Sequence, residues 1–180
     1  GVVLADGARV EADVVVVAIG AVPATEWLAD SGVPVGDGVL CDRFCRAAPG
    51  VWAAGDVASW EHEQHGERLR IEHRTNAAEQ GLAVGRNILA SLAGDDLRPF
   101  TPVPYIWSDQ YDLKIQIHGL PRGAETAQVT EGSAAERSLV ALYARGGLVR
   151  AAVGVNRIRP TREARKLVAA RAPWAEAVGG

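Results

Sequence analysis

Gly55 and Asp56 are the residue pair with the clearest chemical potential, because they directly follow a short apolar run at residues 51–54. We predict that this run is a short buried strand, and ligands bind beyond the carboxyl ends of strands in an open α/β sheet. A glycine there lets the backbone approach a ligand, and a carboxylate can accept hydrogen bonds from sugar hydroxyls. An aspartate in an ordinary turn gives the same pattern, so the pair alone leaves a binding role and a structural role equally open.

The clearest predicted helix runs from Asn76 to a glycine stop at Gly94. Asn76 is a candidate N-cap, with Glu79 three residues later. Gly81 and Gly85 inside this helix each cost about 1 kcal/mol relative to alanine, so we expect another backbone or a ligand to pack closely there. Apolar residues at helical spacing predict the buried face: Ala77, Ala78, Leu82, Ile88, Leu89 and Leu92.

The first residues of the chain predict a hairpin and a buried strand. Apolar residues on both sides of Asp6 and Gly7 indicate two short strands joined by a turn. Residues 14–19 are apolar on both faces, which predicts a central strand covered on both sides that stops at Gly20.

The pattern changes from Pro99 onward, where alternation of apolar and polar residues begins. Residues 114–117 alternate cleanly, and residues 139–143 can pair with residues 148–155 across a glycine turn. Thr161 is a candidate cap for a final basic helix. These features predict an antiparallel sheet with a helix in the second part of the chain.

Four stretches carry a resemblance to a known family. The apolar strand and G-x-x-P turn of residues 14–25, with the A-x-G-D of residues 53–56, resemble the pyridine-nucleotide-disulfide reductase superfamily. Residues 71–81 resemble an E-H/W-x-x-N-A-x-x-Q-G motif, and residues 105–110 resemble an F-W-S-D-Q signature. Both are typical of FAD-dependent ferredoxin reductases that serve dioxygenases and P450s.

The resemblance implies a fold and a division into domains. We expect α/β structure, comprising the end of an NAD domain at residues 1–24 and the second half of a Rossmann-like FAD domain at residues 25–100. An α+β antiparallel interface domain follows at residues 101–180. Neither G-x-G-x-x-G fingerprint nor any methionine occurs, so we interpret the chain as the carboxyl-terminal half of a longer protein.

The same resemblance implies FAD and NAD as cofactors and assigns roles to particular residues. Gly20 would line the NAD site, and Asp56 would bind the ribityl chain of FAD. By residue type alone, His73 is better read as a structural histidine and Trp107 as core packing, but the motif context favours function for both. The implied catalytic residues are Glu72, His73 and Trp107, and the implied cofactor-binding residues are Gly20, Gly55, Asp56, Asn76, Ala77 and Trp107.

The implied activity is electron transfer from NADH through FAD to an iron–sulfur ferredoxin of a dioxygenase or P450 system. One alternative is an NADH oxidase, or the flavin subunit of a rubredoxin or nitrite reductase. The other is an interaction module resembling apoptosis-inducing factor, in which redox chemistry is secondary. The sequence leaves open the choice between NADH and NADPH, the identity of the ferredoxin and the oligomeric state.

Charge is distributed unevenly and predicts where the ferredoxin docks. The net charge is −3. Residues 1–100 contain 8 basic and 15 acidic side chains, whereas residues 101–180 contain 11 basic and 7 acidic ones. The stretch from Arg145 to Arg171 has eight basic residues against Glu163 alone. A stretch this one-sided favours an anionic protein partner, and without interleaved aromatic residues it does not favour nucleic acid.

The remaining polar residues indicate no further chemistry. Cys41 and Cys45 are too few for a closed zinc site and are expected to be free thiols. His62 and His65 do not meet H-E-x-x-H spacing, so we predict no metal site. The longest apolar run, residues 14–19, is too short to span a bilayer, and no signal peptide is recognisable. We therefore expect a cytoplasmic protein that does not cross a membrane.

Overall fold

The computed structural model of this chain describes residues 1–179, and it opens with the predicted hairpin. Strands β1 (Val2–Val3) and β2 (Arg9–Val10) pair antiparallel, with Val2 opposite Val10. The Asp6 carboxylate accepts a hydrogen bond from the Ala8 backbone N–H at 2.9 Å, and Gly7 takes φ 85° in the turn. This local chemistry sets the turn without help from the rest of the chain.

The next part of the chain forms a mixed four-stranded sheet and a separate two-stranded ribbon. A short 3-10 helix at Glu26–Leu28 precedes them. The sheet has the order β3 (Val35–Gly36), β4 (Gly38–Cys41), β7 (Ala58–His62), β8 (Glu67–Leu69), and the ribbon joins β5 (Arg46–Ala48) to β6 (Val51–Trp52). Only β4 and β7 pair parallel; the other pairs within residues 1–100 are antiparallel.

Two expected strands differ from the structure. Residues 14–19 form no strand, and Val14, Val16 and Ile19 are 78%, 82% and 91% exposed. An apolar strand is buried only where neighbouring strands accept its hydrogen bonds, and residues 1–179 provide none for this run. The run at residues 51–54 contributes only β6, which is partly exposed and pairs antiparallel with β5, because Ala53 and Ala54 leave the ribbon.

Helix α1 (Arg74–Ala93) also differs from expectation at its start and along its faces. His73 is the N-cap, and Asn76 lies inside the helix with its side chain buried. The buried face carries Asn76, Gln80, Val84 and Asn87. Of the predicted apolar face, Ile88 packs against the core, whereas Leu82, Leu89 and Leu92 are exposed. A Cβ added at Gly81 or Gly85 would meet no atom within 4 Å among the described residues, so neither glycine is packed against another part of this chain. Gly94 ends the helix as expected, at φ 77°.

The carboxyl-terminal region is an antiparallel sheet covered by a helix, as predicted. Its strand order is β11 (Thr126–Ser133), β12 (Ser138–Arg145), β13 (Leu148–Val155), β10 (Leu113–Gly119), β9 (Tyr105–Gln110), followed by helices α2 (Ile158–Ala170) and α3 (Trp174–Val178). The pairing of β12 with β13 across Gly146 and Gly147 confirms the predicted hairpin.

Helix α2 packs on this sheet through small side chains. Thr161 is fully buried inside the helix and is not its cap, because its hydroxyl donates to the Arg157 carbonyl at 2.6 Å. Gly154 of β13 faces it, and a Cβ at Gly154 would lie 1.7 Å from the Thr161 hydroxyl oxygen. The core of the region contains Val140, Leu142, Val149, Ala152, Ala164 and Val168. Burying a valine or leucine side chain contributes about 1.5–3 kcal/mol.

Candidate functional site

The Gly55-Asp56 turn is attached directly to helix α1. Gly55 takes φ 80°, which favours glycine, and its backbone N–H donates to the Gln80 amide oxygen at 2.9 Å. A Cβ at Gly55 would lie 3.5 Å from that of Ala77, so turn and helix are in close contact. Asp56 is exposed beside them. The structure thus brings together three of the predicted residues, Gly55, Asp56 and Ala77.

Gln80 is a positioning residue that sequence reasoning did not single out. Its side chain is fully buried and joins three segments: it accepts from Gly55, accepts from the Asn76 amide at 3.4 Å, and donates to the Cys45 thiol at 3.3 Å. A buried amide on an otherwise amphipathic helix requires such partners. The available signal was its place inside the motif of residues 71–81, where a glutamine interrupts the apolar spacing.

The amino-terminal end of α1 is open. His73 has extended backbone, at φ −149° and ψ 135°, and no side chain within residues 1–179 caps the helix. The Asn76 side chain points back into the protein, where its amide donates to the Ile71 carbonyl at 3.3 Å. Uncapped N–H groups and the helix dipole both favour negative charge at this end.

The His73 ring, at the start of α1, contacts Trp107 on strand β9 of the carboxyl-terminal sheet. The two rings are edge to face, with centroids 4.5 Å apart. Trp107 also stacks on Tyr105, with ring centroids 5.5 Å apart, and Tyr105 stacks on His118, with centroids 4.7 Å apart. These rings form a row across β9 and β10. Trp107 remains 42% exposed, and the buried Nδ1 of His73 has no hydrogen-bond partner among the described residues. A core position would bury Trp107 far more completely.

Glu72 is held by an arginine that the sequence did not single out. Arg70 pairs with Glu72 and with Asp37, the latter at 2.8 Å, and it donates to the Asp56 carbonyl at 3.2 Å. The hydrogen bond to Glu72 and the proximity of Asp37 raise the pKa of the Arg70 guanidinium. Arg70 therefore links the Asp56 turn to the residues that precede α1.

Gly20 is not brought to this cluster. It takes φ 90° on the exposed segment that follows residues 14–19, and a Cβ there would meet no atom within 4 Å among the described residues. Cofactor contacts at Gly20 therefore remain a prediction.

The two cysteines lie in the core under α1. Both are free thiols and are buried. Burial raises the pKa of Cys41 to about 11 and of Cys45 to about 12, so both are protonated at neutral pH. Because the thiolate is the nucleophilic form, neither thiol is poised for redox chemistry.

The two neighbouring histidines are packed rather than arranged as ligands. His62 is buried, its Nε2 lies 2.9 Å from the Pro102 carbonyl oxygen, and its ring is 4.5 Å from that of His65. Residues 1–179 contain no group of three or more histidine, cysteine, aspartate or glutamate side chains that could hold a metal ion. No helix in the same part of the chain is long and apolar enough to cross a membrane.

The stretch from Arg145 to Arg171 divides into side chains with different surroundings. Arg150 is buried and paired with Glu67, and Arg157 pairs with Glu131 at 3.3 Å. Lys166 pairs with the exposed Glu163. Three arginines three residues apart line the exposed face of α2 and have no ion pair among the described residues: Arg159, Arg162 and Arg165.

Two family models and several known proteins match this chain. Residues 1–81 match the family model described as pyridine nucleotide-disulphide oxidoreductase, and residues 105–178 match the one described as reductase C-terminal. The chain is 39% identical over 170 residues to the 5,5′-dehydrodivanillate O-demethylase ferredoxin reductase subunit of Sphingobium sp. (strain NBRC 103272 / SYK-6), covering 93% of this chain and 40% of that protein.

Two crystal structures resemble the whole chain. The ferredoxin reductase for the CYP199A2 system from Rhodopseudomonas palustris has a TM-score of 0.82 and 35% identity, covering 98% of this chain and 43% of the other. The covalent putidaredoxin reductase–putidaredoxin complex has a TM-score of 0.81 and 30% identity, covering 94% and 39%. The chain thus spans about two fifths of the length of these relatives, whose family uses FAD and NAD(H). It belongs to the FAD-dependent pyridine nucleotide-disulphide oxidoreductases, in the ferredoxin reductase group, and corresponds to their carboxyl-terminal part.

Proposed function

We propose that the full-length protein takes hydride from NADH onto FAD and passes electrons to the iron–sulfur ferredoxin of an oxygenase system. One observation carries the proposal: the Gly55-Asp56 turn, the open end of α1 and the His73–Trp107 pair converge at one place. The donors and acceptors there suit a polyhydroxy chain joined to a flat ring that becomes negative on reduction.

Each predicted residue has a place in this proposal. The exposed Asp56 carboxylate would accept hydrogen bonds from the ribityl hydroxyls, and the Gly55 turn gives the backbone room to approach. The backbone N–H groups near Asn76 and Ala77 would favour the negative pyrimidine edge. FAD, when bound, supplies the ability to accept two electrons together and release them singly.

His73 and Trp107 would border the ring, and Glu72 would sit beside it. The Arg70 ion pair fixes the Glu72 carboxylate in position. The indole of Trp107 is exposed enough to cover a flat ligand while it contacts the His73 ring. Gly20 would contact NAD. We also propose that the NAD domain ends at residue 24 and the FAD domain at residue 100.

The first test removes one carboxylate from the proposed ribityl site. In the full-length protein, Asp56→Ala should weaken FAD binding about tenfold to a hundredfold, because hydrogen bonds to a charged group contribute about 1.5–3 kcal/mol. Flavin absorbance per protein after dialysis measures it. The matched control is Asp96→Ala, an exposed aspartate beyond the end of α1. Equal FAD retention by Asp56→Ala and the parent would remove Asp56 from the site.

We further propose that the ferredoxin docks on the exposed basic face of α2. Arg159, Arg162 and Arg165 project from one side of the helix, while Thr161, Ala164 and Val168 hold the other side on the sheet. An acidic partner would be steered to this face, with a rate enhancement of about tenfold or more that salt screens. A covalent complex of putidaredoxin reductase with putidaredoxin is known among the similar structures, which supports a ferredoxin as partner.

The second test reverses the three arginines to glutamate in the full-length protein. Ferredoxin reduction should slow about tenfold and lose its salt dependence, while NADH–ferricyanide turnover, which needs no docking, stays near parental. The matched control replaces the same arginines with lysine and should keep most of the rate. Equal losses in both assays would assign these arginines to the fold. Ferricyanide turnover without reduction of any ferredoxin would favour an oxidase or an interaction module instead.

A further inference from the structure

A cavity of about 360 Å³ lies where the two regions of the chain meet. The turn between β7 and β8 contributes His65 and Gly66 to its wall, and the end of β12 contributes Arg145. Arg150 of β13 and Arg171 at the end of α2 complete the cationic lining. Its volume falls within the range of small-molecule sites.

Three arginines and one glutamate are among the residues that line this cavity. Glu67 pairs with Arg150, whereas Arg145 and Arg171 have no ion pair among the described residues. A second carboxylate, that of Glu125, lies at the rim, where it accepts a hydrogen bond from the Gly146 N–H at 2.9 Å. Arginine stays protonated in proteins, so the three arginines exceed these two carboxylates by about one positive charge. His65 adds no charge at neutral pH, because burial and the neighbouring His62, Arg150 and Arg171 lower its pKa to about 4.

The cavity is fixed in shape by hydrogen bonds around it. Arg150 is 9% exposed, and its Nε donates to the Leu120 carbonyl at 3.0 Å, which orients the guanidinium from behind. The chain after Arg171 is tied to the β12–β13 hairpin, since Val149 N–H donates to the Ala172 carbonyl at 2.9 Å and Trp174 N–H to the Gly147 carbonyl at 2.8 Å. The arginines are therefore brought together by the fold before any ligand arrives.

We propose that this cavity is a binding site for a phosphate group, either free phosphate or a phosphate monoester. Two arginines without an ion pair and a net excess of positive charge suit a phosphate group, whose oxygens accept the paired N–H groups of arginine. A neutral His65 ring supplies one further hydrogen-bonding nitrogen. The site is separate from the Asp56–Trp107 cluster and does not depend on the function proposed above.

Binding of inorganic phosphate and of glycerol 3-phosphate to the full-length protein tests the proposal. Isothermal titration calorimetry in phosphate-free buffer should show saturable binding of at least one of the two. The double variant Arg145→Gln and Arg171→Gln should weaken that binding about tenfold or more, because each guanidinium contributes charge-assisted hydrogen bonds. Arg150 is left unchanged, since it is buried and paired. The unfolding curve in phosphate-free buffer confirms that the variant folds.

The matched control is Arg86→Gln with Arg98→Gln, two exposed arginines that do not line the cavity. This pair should bind phosphate as the parent does. Tighter binding of glycerol 3-phosphate than of inorganic phosphate identifies a monoester as the ligand, and the reverse order identifies free phosphate. No saturation by either probe at millimolar concentration would overturn the proposal. Equal weakening by the control pair would also overturn it, because binding would then reflect net charge alone.

Discussion

Both regions of the molecule bury an apolar core, but only the first also leaves long runs of apolar side chains exposed. In the carboxyl-terminal region, β12 and β13 bury Val140, Leu142 and Val149 between the sheet and α2. In the first region, residues 14–19 have a similar composition yet are exposed, and Leu82, Leu89 and Leu92 of α1 are exposed with them. The difference lies in the neighbours available, because β13 has a hydrogen-bonded strand on both sides and residues 14–19 have none within the described chain.

The first region has its own apolar core, which includes Trp60, Val84 and Phe100, and buried amides add polar contacts that order it. Asn87 is bonded to the Phe44 carbonyl at 3.1 Å and to both backbone groups of Arg98, and Gln80 joins α1 to the Gly55 turn. Buried amides specify a geometry because each unsatisfied group costs free energy. The candidate flavin site lies at His73 and Trp107, where the start of α1 meets strand β9 of the carboxyl-terminal sheet.

The first prediction compares a buried leucine of the carboxyl-terminal region with an exposed leucine of α1. In the 180-residue chain, Leu142→Ala should lower the free energy of unfolding by about 2–5 kcal/mol, through lost burial and the cavity left behind. The matched change Leu89→Ala, on the exposed face of α1, should stay within about 0.5 kcal/mol. Urea unfolding followed by circular dichroism measures both. Similar losses would mean that the exposed face of α1 is already covered.

The second prediction concerns the polar framework of the first region. Gln80→Met keeps the side-chain volume but leaves the Gly55 N–H without its acceptor, which should cost about 1–3 kcal/mol in unfolding free energy. The exposed neighbour Glu79 provides the control, Glu79→Met. In the full-length protein the same Gln80 variant should also lose FAD more readily, because the Asp56 turn is no longer held. A neutral Gln80→Met would show that the turn is fixed by other contacts.

The third prediction concerns how the stability of the carboxyl-terminal region, which contains His118, depends on pH. Burial, with Arg165 and Arg162 nearby, lowers the pKa of His118 from 6.5 to about 4. Between these values the unfolded chain binds a proton that the folded chain does not, so stability should fall as the pH drops from about 6.5 toward 4. His118→Phe keeps a ring against Tyr105 and should show a smaller fall than the parent. The remaining fall in this variant belongs to other groups, including His65, whose pKa is also lowered to about 4. Identical pH profiles for parent and variant would contradict the prediction.

The fourth prediction concerns the exposed residues 14–19. Val16→Ala should change the unfolding free energy of the 180-residue chain by less than about 0.5 kcal/mol, because the side chain is already exposed. In the full-length protein the same change should cost about 1 kcal/mol or more if an amino-terminal segment supplies neighbouring strands. Comparing the two unfolding curves tests it. No difference between the two backgrounds would leave residues 14–19 uncovered in both.

Sequence reasoning succeeded where the structure depends on local pattern. The Asp6-Gly7 turn, the Gly94 stop and the β12–β13 hairpin were predicted because turn residues and alternation act over a few positions. It failed for the face of α1, because apolar spacing cannot reveal which side meets this chain. The buried face instead carries Asn76, Gln80 and Asn87, whose partners lie far away in sequence.

The family, the antiparallel carboxyl-terminal region and the residues with chemical potential could be read from the sequence, since motifs and periodicity are properties of neighbouring positions. Which of those residues meet depends on the three-dimensional fold. It joined Gly55 to Gln80 and His73 to Trp107, and it divided the basic stretch into buried, paired and exposed arginines. These outcomes depend on packing between segments 25 to 83 residues apart, where burial and charge are set by neighbours that no local pattern specifies.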